Sequence, residues 1–182
     1  MDSLVAVSAL TIRTFFALYF LFAIAHKLGD RDRFRRAIAA YAVLPDGMVR
    51  PVAPVLIGLE IIAVALLMFA DFAVSGLLSI AALLTVYAAA IASAKLRNLK
   101  LEDCGCGGIS GDAAPEAWHL QRNALLIALS LAGALAAQQS GPAASGVASV
   151  GLLLGTVLTV LCLALEGLRA NEHHFSSRST GQ

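Results

Sequence analysis

Two cysteines separated by a single glycine are the residues of this sequence best suited to chemistry. Cys104 and Cys106 lie in a Cys-Gly-Cys-Gly-Gly run. Such a pair can close a small disulfide ring, and the glycines permit the unusual backbone angles that the ring needs. Strained, exposed disulfides exchange readily with other thiols. We therefore predict Cys104 and Cys106 as catalytic, redox-active residues, with a soft-metal site and two reduced thiols in a flexible turn as the alternatives.

The composition indicates what kind of protein positions this pair. Of 182 residues, 59% are hydrophobic and 14% charged, and the mean hydropathy is +0.81. An ordinary soluble core of this size cannot hide that many apolar side chains, so we expect an all-α integral membrane bundle. The net charge of +1 gives no sign of nucleic-acid binding, and three cysteines do not make a disulfide scaffold.

Five apolar segments have about the 20 residues that a membrane-spanning helix needs. They lie near residues 4–25, 52–70, 72–94, 120–137 and 147–168. Asp71 alone separates the second span from the third, which predicts a tight hairpin. Residues 1–170 are expected to form one helical-bundle domain, followed by a short, disordered polar tail at 171–182.

The positive charges predict the orientation of the spans. Six Lys and Arg residues follow the first span, four follow the third and two follow the fifth, so 12 of the 13 fall on one side. Cytoplasmic loops of membrane proteins carry the excess of Lys and Arg. The N-terminus is therefore expected outside, and the cysteine loop in the cytoplasm.

The segment after the first span predicts a short interfacial helix. Asp30 can cap it, and Phe34, Ile38 and Tyr41 fall on one face, with arginines spread over the rest. Such a helix suits the surface of the lipid bilayer, where basic residues meet anionic headgroups. The alternative is a solvated basic linker.

Charged residues within the spans are the second group of candidates. Arg13 and Glu60 each lie about nine residues into their segments, where a charge costs about 2.5 to 3.5 kcal/mol. We expect both to face inward and to pair with each other or with polar groups. Lys27 lies 14 residues after Arg13 and so shares its helix face. Two roles stay open for these charges, fixing the helix register or handling protons or substrate.

No metal site or cofactor is expected from the remaining reactive groups. The four histidines lack the spacing of metal ligands. Cys162, alone within the fifth span, is most simply a packing residue.

Several motifs resemble those of the MauE-type methylamine utilization proteins, which are similar in turn to the wider DoxX-like membrane proteins. The matching stretches are Arg13 to Phe22, His26 to Leu28, Tyr41 to Pro45, Glu60, and Asp103 to Gly108. The family's cysteine motif often reads Cys-Gly-Cys-Phe-Gly, and Gly107 stands here in place of the aromatic residue. Length and five spans also fit this family.

The resemblance implies a multi-pass protein of the bacterial inner membrane. Its role would be processing, transport or maturation of the methylamine dehydrogenase small (beta) subunit, beside a thioredoxin-like partner. In such a role, one cysteine attacks a partner disulfide and its neighbour releases the mixed disulfide. Two rival functions are a mercury or copper(I) transporter, since paired thiolates bind soft metals, and a non-catalytic membrane scaffold for an oxidoreductase.

Overall fold

The protein is a bundle of α-helices. The computed structural model describes residues 2–99, 117–140 and 145–179. Its helices are α1 (Asp2–Gly29), α2 (Arg31–Ala40), α3 (Asp46–Met68), α4 (Ala73–Leu96), α5 (Ala117–Gln139) and α6 (Ser145–Ser179). These ranges contain no strand, which confirms the all-α class. The cysteine pair at 104 and 106 lies outside the described residues.

Within the described residues, five helices are long and apolar enough to cross a membrane, as the sequence predicts. The spans are Ser3–Gly29, Gly47–Met68, Ala70–Leu96, Trp118–Gln139 and Gly146–Leu168. Between the second and third, a single 3₁₀ turn (Ala70–Phe72) makes the expected tight connection around Asp71. The last helix, α6, is described up to Ser179. The division of the chain into one domain and a tail stays a prediction.

The short amphipathic helix α2 forms where the sequence predicts it. Asp30 caps it, its carboxylate accepting a hydrogen bond of 2.9 Å from the backbone N–H of Arg33. Phe34 and Ala37 form its buried face, and Phe34 packs with Ile24 of α1 and two residues of α3. After Tyr41, residues 42–45 connect this helix to α3.

Helix α1 lies at the centre of the bundle and contacts α3, α5 and α6. Its aromatic residues Phe15, Phe16 and Phe20 are buried in the main core. Glycines bring α6 close to α1, since a Cβ atom on Gly155 would lie 2.7 Å from the carbonyl oxygen of Thr11. Close packing of this kind surrounds α1 with other helices. The polar side chains of α1 therefore find their partners on those helices.

Candidate functional site

The intramembrane charges define the site that the described residues show. Lys27 at the end of α1 forms an ion pair with Glu60 in the middle of α3. Both side chains are buried, with relative exposures of 2% and 1%. A charge pair removed from water to this degree is costly unless each group is well satisfied, so its surroundings matter.

The backbone geometry explains how residues at different depths meet. Ile24 of α1 packs with Ala53 and Ile57 of α3. The Cα atom of Lys27 is therefore offset from that of Glu60 along the axis of α3, toward the start of that helix. Side chains on a helix lean toward its N-terminus. In antiparallel helices the two side chains therefore lean toward each other, and the long lysine stem covers the remaining distance.

Two aromatic residues complete the surroundings of the pair. The hydroxyl of Tyr87 on α4 donates a 2.6 Å hydrogen bond to the same Glu60 oxygen, Oε1, that Lys27 contacts. The Lys27 Nζ atom lies 5.1 Å from the ring centroid of Phe34 and 5.0 Å from that of Tyr87. The ammonium group is thus held by a carboxylate and by two ring faces, which attract cations.

Arg13 has different partners from the carboxylate that the sequence suggested first. Its guanidinium donates to the carbonyl oxygen of Leu67 and, at 2.8 Å, to that of Met68. Arg13 therefore does not pair with Glu60. Of the two expected kinds of partner, it has the second, polar groups. The physical reason is direction, since the side chain leans toward the start of α1 and meets the last carbonyls of α3, which lack helical partners.

A second buried ion pair joins α5 to α6. Arg122 Nη1 donates a 2.9 Å hydrogen bond to Glu166 Oε1, and the Tyr19 hydroxyl donates to the same oxygen at 2.7 Å. This pair was not predicted, because Arg122 counts among the positive charges that follow the third span. One signal was present, since Glu166 is a carboxylate within the fifth predicted span.

A small cavity of about 20 Å³ is lined by residues of both ion pairs. Lys27, Glu60, Tyr19 and Arg122 all line it, together with Asn123 of α5. Within the described part of the chain, Glu60 Oε2 and Asn123 Nδ2 are buried without a hydrogen-bond partner. A space of this size beside unpartnered polar atoms has room for a water molecule that bridges such groups. The two pairs and the cavity form what we call the polar network.

The third cysteine, Cys162, lies near the polar network. Cys162 is half-buried and packs against the main core, one helical turn before Glu166 on α6. Among residues 2–99, 117–140 and 145–179, no three His, Cys, Asp or Glu side chains come together as metal ligands.

The chain matches one known protein family over most of its length. The family described as "Methylamine utilisation protein MauE" matches residues 4–137. This chain belongs to the MauE family. It is 37% identical over 163 residues to "Methylamine utilization protein MauE" of Paracoccus denitrificans, covering 87% of each chain. It is 34% identical over 151 residues to the protein of the same name of Paracoccus versutus, covering 82% of this chain and 81% of that one. No solved structure matches this chain significantly.

The region matched to the MauE family contains most of the site. Lys27, Glu60, Tyr87 and Arg122 lie within it, as does the cysteine pair, whereas Glu166 lies beyond its end. The first ion pair and its aromatic surroundings thus belong wholly to the family region.

Proposed function

We propose that this chain is a membrane maturation factor of methylamine utilization. It aids the processing, transport or disulfide formation of the methylamine dehydrogenase small (beta) subunit, by thiol exchange at Cys104 and Cys106 with a thioredoxin-like partner. Membership of the MauE family and the names of the two Paracoccus relatives support methylamine utilization. The Cys-Gly-Cys sequence supports the thiol chemistry.

One structural observation carries the proposal, namely that polar contacts hold both of the helices that flank residues 100–116. On the α4 side, Tyr87 binds Glu60, and Arg97 donates to the carbonyl oxygens of Tyr41 at 2.6 Å and Ala42 at 2.9 Å. On the α5 side, Arg122 binds Glu166. The helices on either side of the two cysteines in the sequence are thus held to the rest of the bundle, and firm support of this kind suits a site that exchanges thiols with other proteins.

The exchange balances without any further reactant. A thiolate of the pair attacks a disulfide of the thioredoxin-like partner, forming a mixed disulfide and releasing one partner thiolate. The second cysteine then attacks the mixed disulfide. The partner leaves as a dithiol and the pair becomes a disulfide, so two electrons have passed to the partner. In the reverse direction, a dithiol of the client subunit reduces the disulfide of the pair. The client subunit is left with a disulfide, and the pair returns to two thiols.

Replacing the cysteines tests this proposal. If the two thiols act as one unit, Cys104→Ser and Cys106→Ser are each expected to abolish client maturation as fully as the double change. A single-cysteine variant is expected to trap a mixed disulfide, seen as a reductant-sensitive band on a non-reducing gel. Cys162→Ala serves as the matched control and is expected to be nearly silent, because this thiol packs against apolar neighbours.

The outcomes separate the rival functions. Normal methylamine-dependent growth of the double Cys104→Ser, Cys106→Ser strain, with an oxidised client subunit, would leave the scaffold function in place of thiol exchange. A strain that instead changes its sensitivity to mercury or copper would point to soft-metal transport.

The orientation belongs to the same proposal. The charge pattern puts the N-terminus outside and the cysteine segment in the cytoplasm, whereas the implied client subunit matures outside. Reporter fusions after Gly29, Lys100 and Ser176 are expected to show a cytoplasmic location, and fusions after Ala70 and Ser140 an external one. An external signal from the Lys100 fusion would reverse the orientation and bring the thiols to the side of the client.

A further inference from the structure

A larger, apolar pocket lies on the other side of the aromatic residues that hold Lys27. Its volume is about 200 Å³, and it is partly open to the surroundings of the bundle. Helices α2, α3 and α4 and the α2–α3 connection enclose it, and its wall is almost entirely apolar. Its wall includes Phe34, Tyr41, Val86 and Tyr87.

The character of the wall decides which chemical group can fill this pocket. Protein interiors are close-packed, so an empty space of this size forfeits contact energy. Water is a poor occupant, because apolar cavities of about 150 Å³ stay dry yet bind hydrocarbons. In a helix bundle with five candidate spans, the hydrocarbon at hand is a lipid chain. The pocket therefore suits an alkyl chain and offers almost nothing to a polar headgroup.

The charges beside the pocket indicate which kind of lipid supplies the chain. Helix α2 contributes Phe34 to the wall and carries four arginines and one aspartate, a net charge of +3 (4 − 1). Arg31 and Arg36 are exposed on α2, and Arg97 binds the backbone at Tyr41, at the edge of the pocket. Basic clusters of this kind attract anionic headgroups.

We propose that this pocket binds one acyl chain of an anionic phospholipid, with the phosphate held near the arginines of α2. The site is separate from the thiol chemistry. It has a structural consequence, because Phe34 and Tyr87 line the pocket and also lie over the Lys27 ammonium group. A bound chain therefore packs against the same two rings that lie over the Lys27 ammonium group.

Lipid retention measured by native mass spectrometry tests the site. The purified full chain is exchanged into detergent containing phosphatidylglycerol or phosphatidylcholine with identical acyl chains, and the bound fraction is recorded over a titration. The unchanged protein is expected to bind one phosphatidylglycerol more tightly than phosphatidylcholine. Val86→Trp places a ring in the pocket and is expected to weaken binding about tenfold, the effect of displacing about two buried methylene groups.

The matched control lies on the same helix. Leu78 is 48% exposed and Val86 55%, and Leu78 does not line the pocket, so Leu78→Trp is expected to bind lipid like the unchanged protein. Val86→Phe fills less space and is expected to give an intermediate affinity. This milder substitution still tests the site if the tryptophan variant does not fold. Equal lipid binding by Val86→Trp, Val86→Phe and Leu78→Trp would overturn the site.

The headgroup part has its own measurement. The double variant Arg31→Gln, Arg36→Gln is expected to lose the preference for phosphatidylglycerol while still binding phosphatidylcholine, because the alkyl pocket is unchanged. Both substituted residues are exposed, so the fold is expected to persist. If the unchanged protein binds both lipids equally, the assignment of an anionic lipid is overturned.

Discussion

The two cations of α1, Arg13 and Lys27, lie on one face of the same helix but satisfy their charges in different ways. Lys27 is buried against a carboxylate and two aromatic rings. Arg13 is half-buried and donates to two neutral carbonyl groups at the end of α3. The difference shows that a helix end can stabilise a cation without any acidic residue, whereas a deeply buried lysine needs an anion.

The two regions should therefore respond differently to mutation. Removing Glu60 takes away the counter-charge of Lys27 and leaves Arg13 untouched. Removing a carbonyl partner of Arg13 is impossible by side-chain substitution, so the region around Arg13 is tested through the arginine itself.

Glu60→Ala is expected to cause the largest loss, about 3–5 kcal/mol in the free energy of unfolding, because it leaves the Lys27 charge buried and uncompensated. The measurement is unfolding by denaturing detergent of purified protein, together with the folded yield from membranes. Glu60→Gln is expected to lose less, since an amide can still accept the hydrogen bonds.

A double substitution provides the control for that loss. Lys27→Met with Glu60→Met removes both charges and is expected to recover much of the stability, since apolar residues can replace a buried ion pair. If the double variant is no more stable than Glu60→Ala, an uncompensated lysine is not the cause of the loss. Full stability with loss of methylamine-dependent growth would instead assign the pair a functional role.

Tyr87→Phe tests the hydrogen bond within the same region and is expected to cost about 1.5–3 kcal/mol, the range for bonds to charged groups. The substitution keeps the ring that lies over Lys27 and removes the hydroxyl that donates to Glu60. Thr85→Val on the same helix is the control, because the Thr85 hydroxyl donates to the backbone carbonyl of Ala81, one turn earlier, and not to a charged group. An equal effect of both variants would show that the Tyr87 bond has no special weight.

The contrast between Arg13 and Lys27 also shows what the sequence could reveal. Hydropathy predicts the five spans, because length and apolar content are local properties, and Asp30 marks the start of α2. The pairing of Lys27 with Glu60 depends on how two helices are offset and on the lean of their side chains. No single segment of the sequence contains that information.

The second ion pair shows the same limit in a different way. Arg122 lies where the apolar part of its span begins, so its charge looked like part of a loop. Its burial follows from the packing of α5 and α6 around α1, which brings Glu166 within 2.9 Å. A search for every carboxylate inside a predicted span would have found Glu166, and its partner would still have required the fold.

Arg13→Met is expected to have a smaller effect, about 1 kcal/mol in the free energy of unfolding. The side chain loses two hydrogen bonds to carbonyl groups, but it is half-buried and these carbonyls lie at a helix end where water can replace it. The same detergent unfolding measurement applies. A loss as large as that of Glu60→Ala would mean that carbonyl groups hold this cation as firmly as a carboxylate holds Lys27.

The smallest expected quantity is the coupling energy between Arg13 and Glu60. Arg13 contacts Leu67, which lies seven residues, or about 10 Å, beyond Glu60 along α3. Residues that far apart and without shared partners add within about 0.5 kcal/mol. The double-mutant cycle of Arg13→Met and Glu60→Gln is therefore expected to close within that margin, whereas Lys27→Met and Glu60→Gln, which are in contact, should show a clearly larger coupling. A large Arg13–Glu60 coupling would restore the direct pairing first expected from the sequence, and with it a single charge network along the whole face of α1.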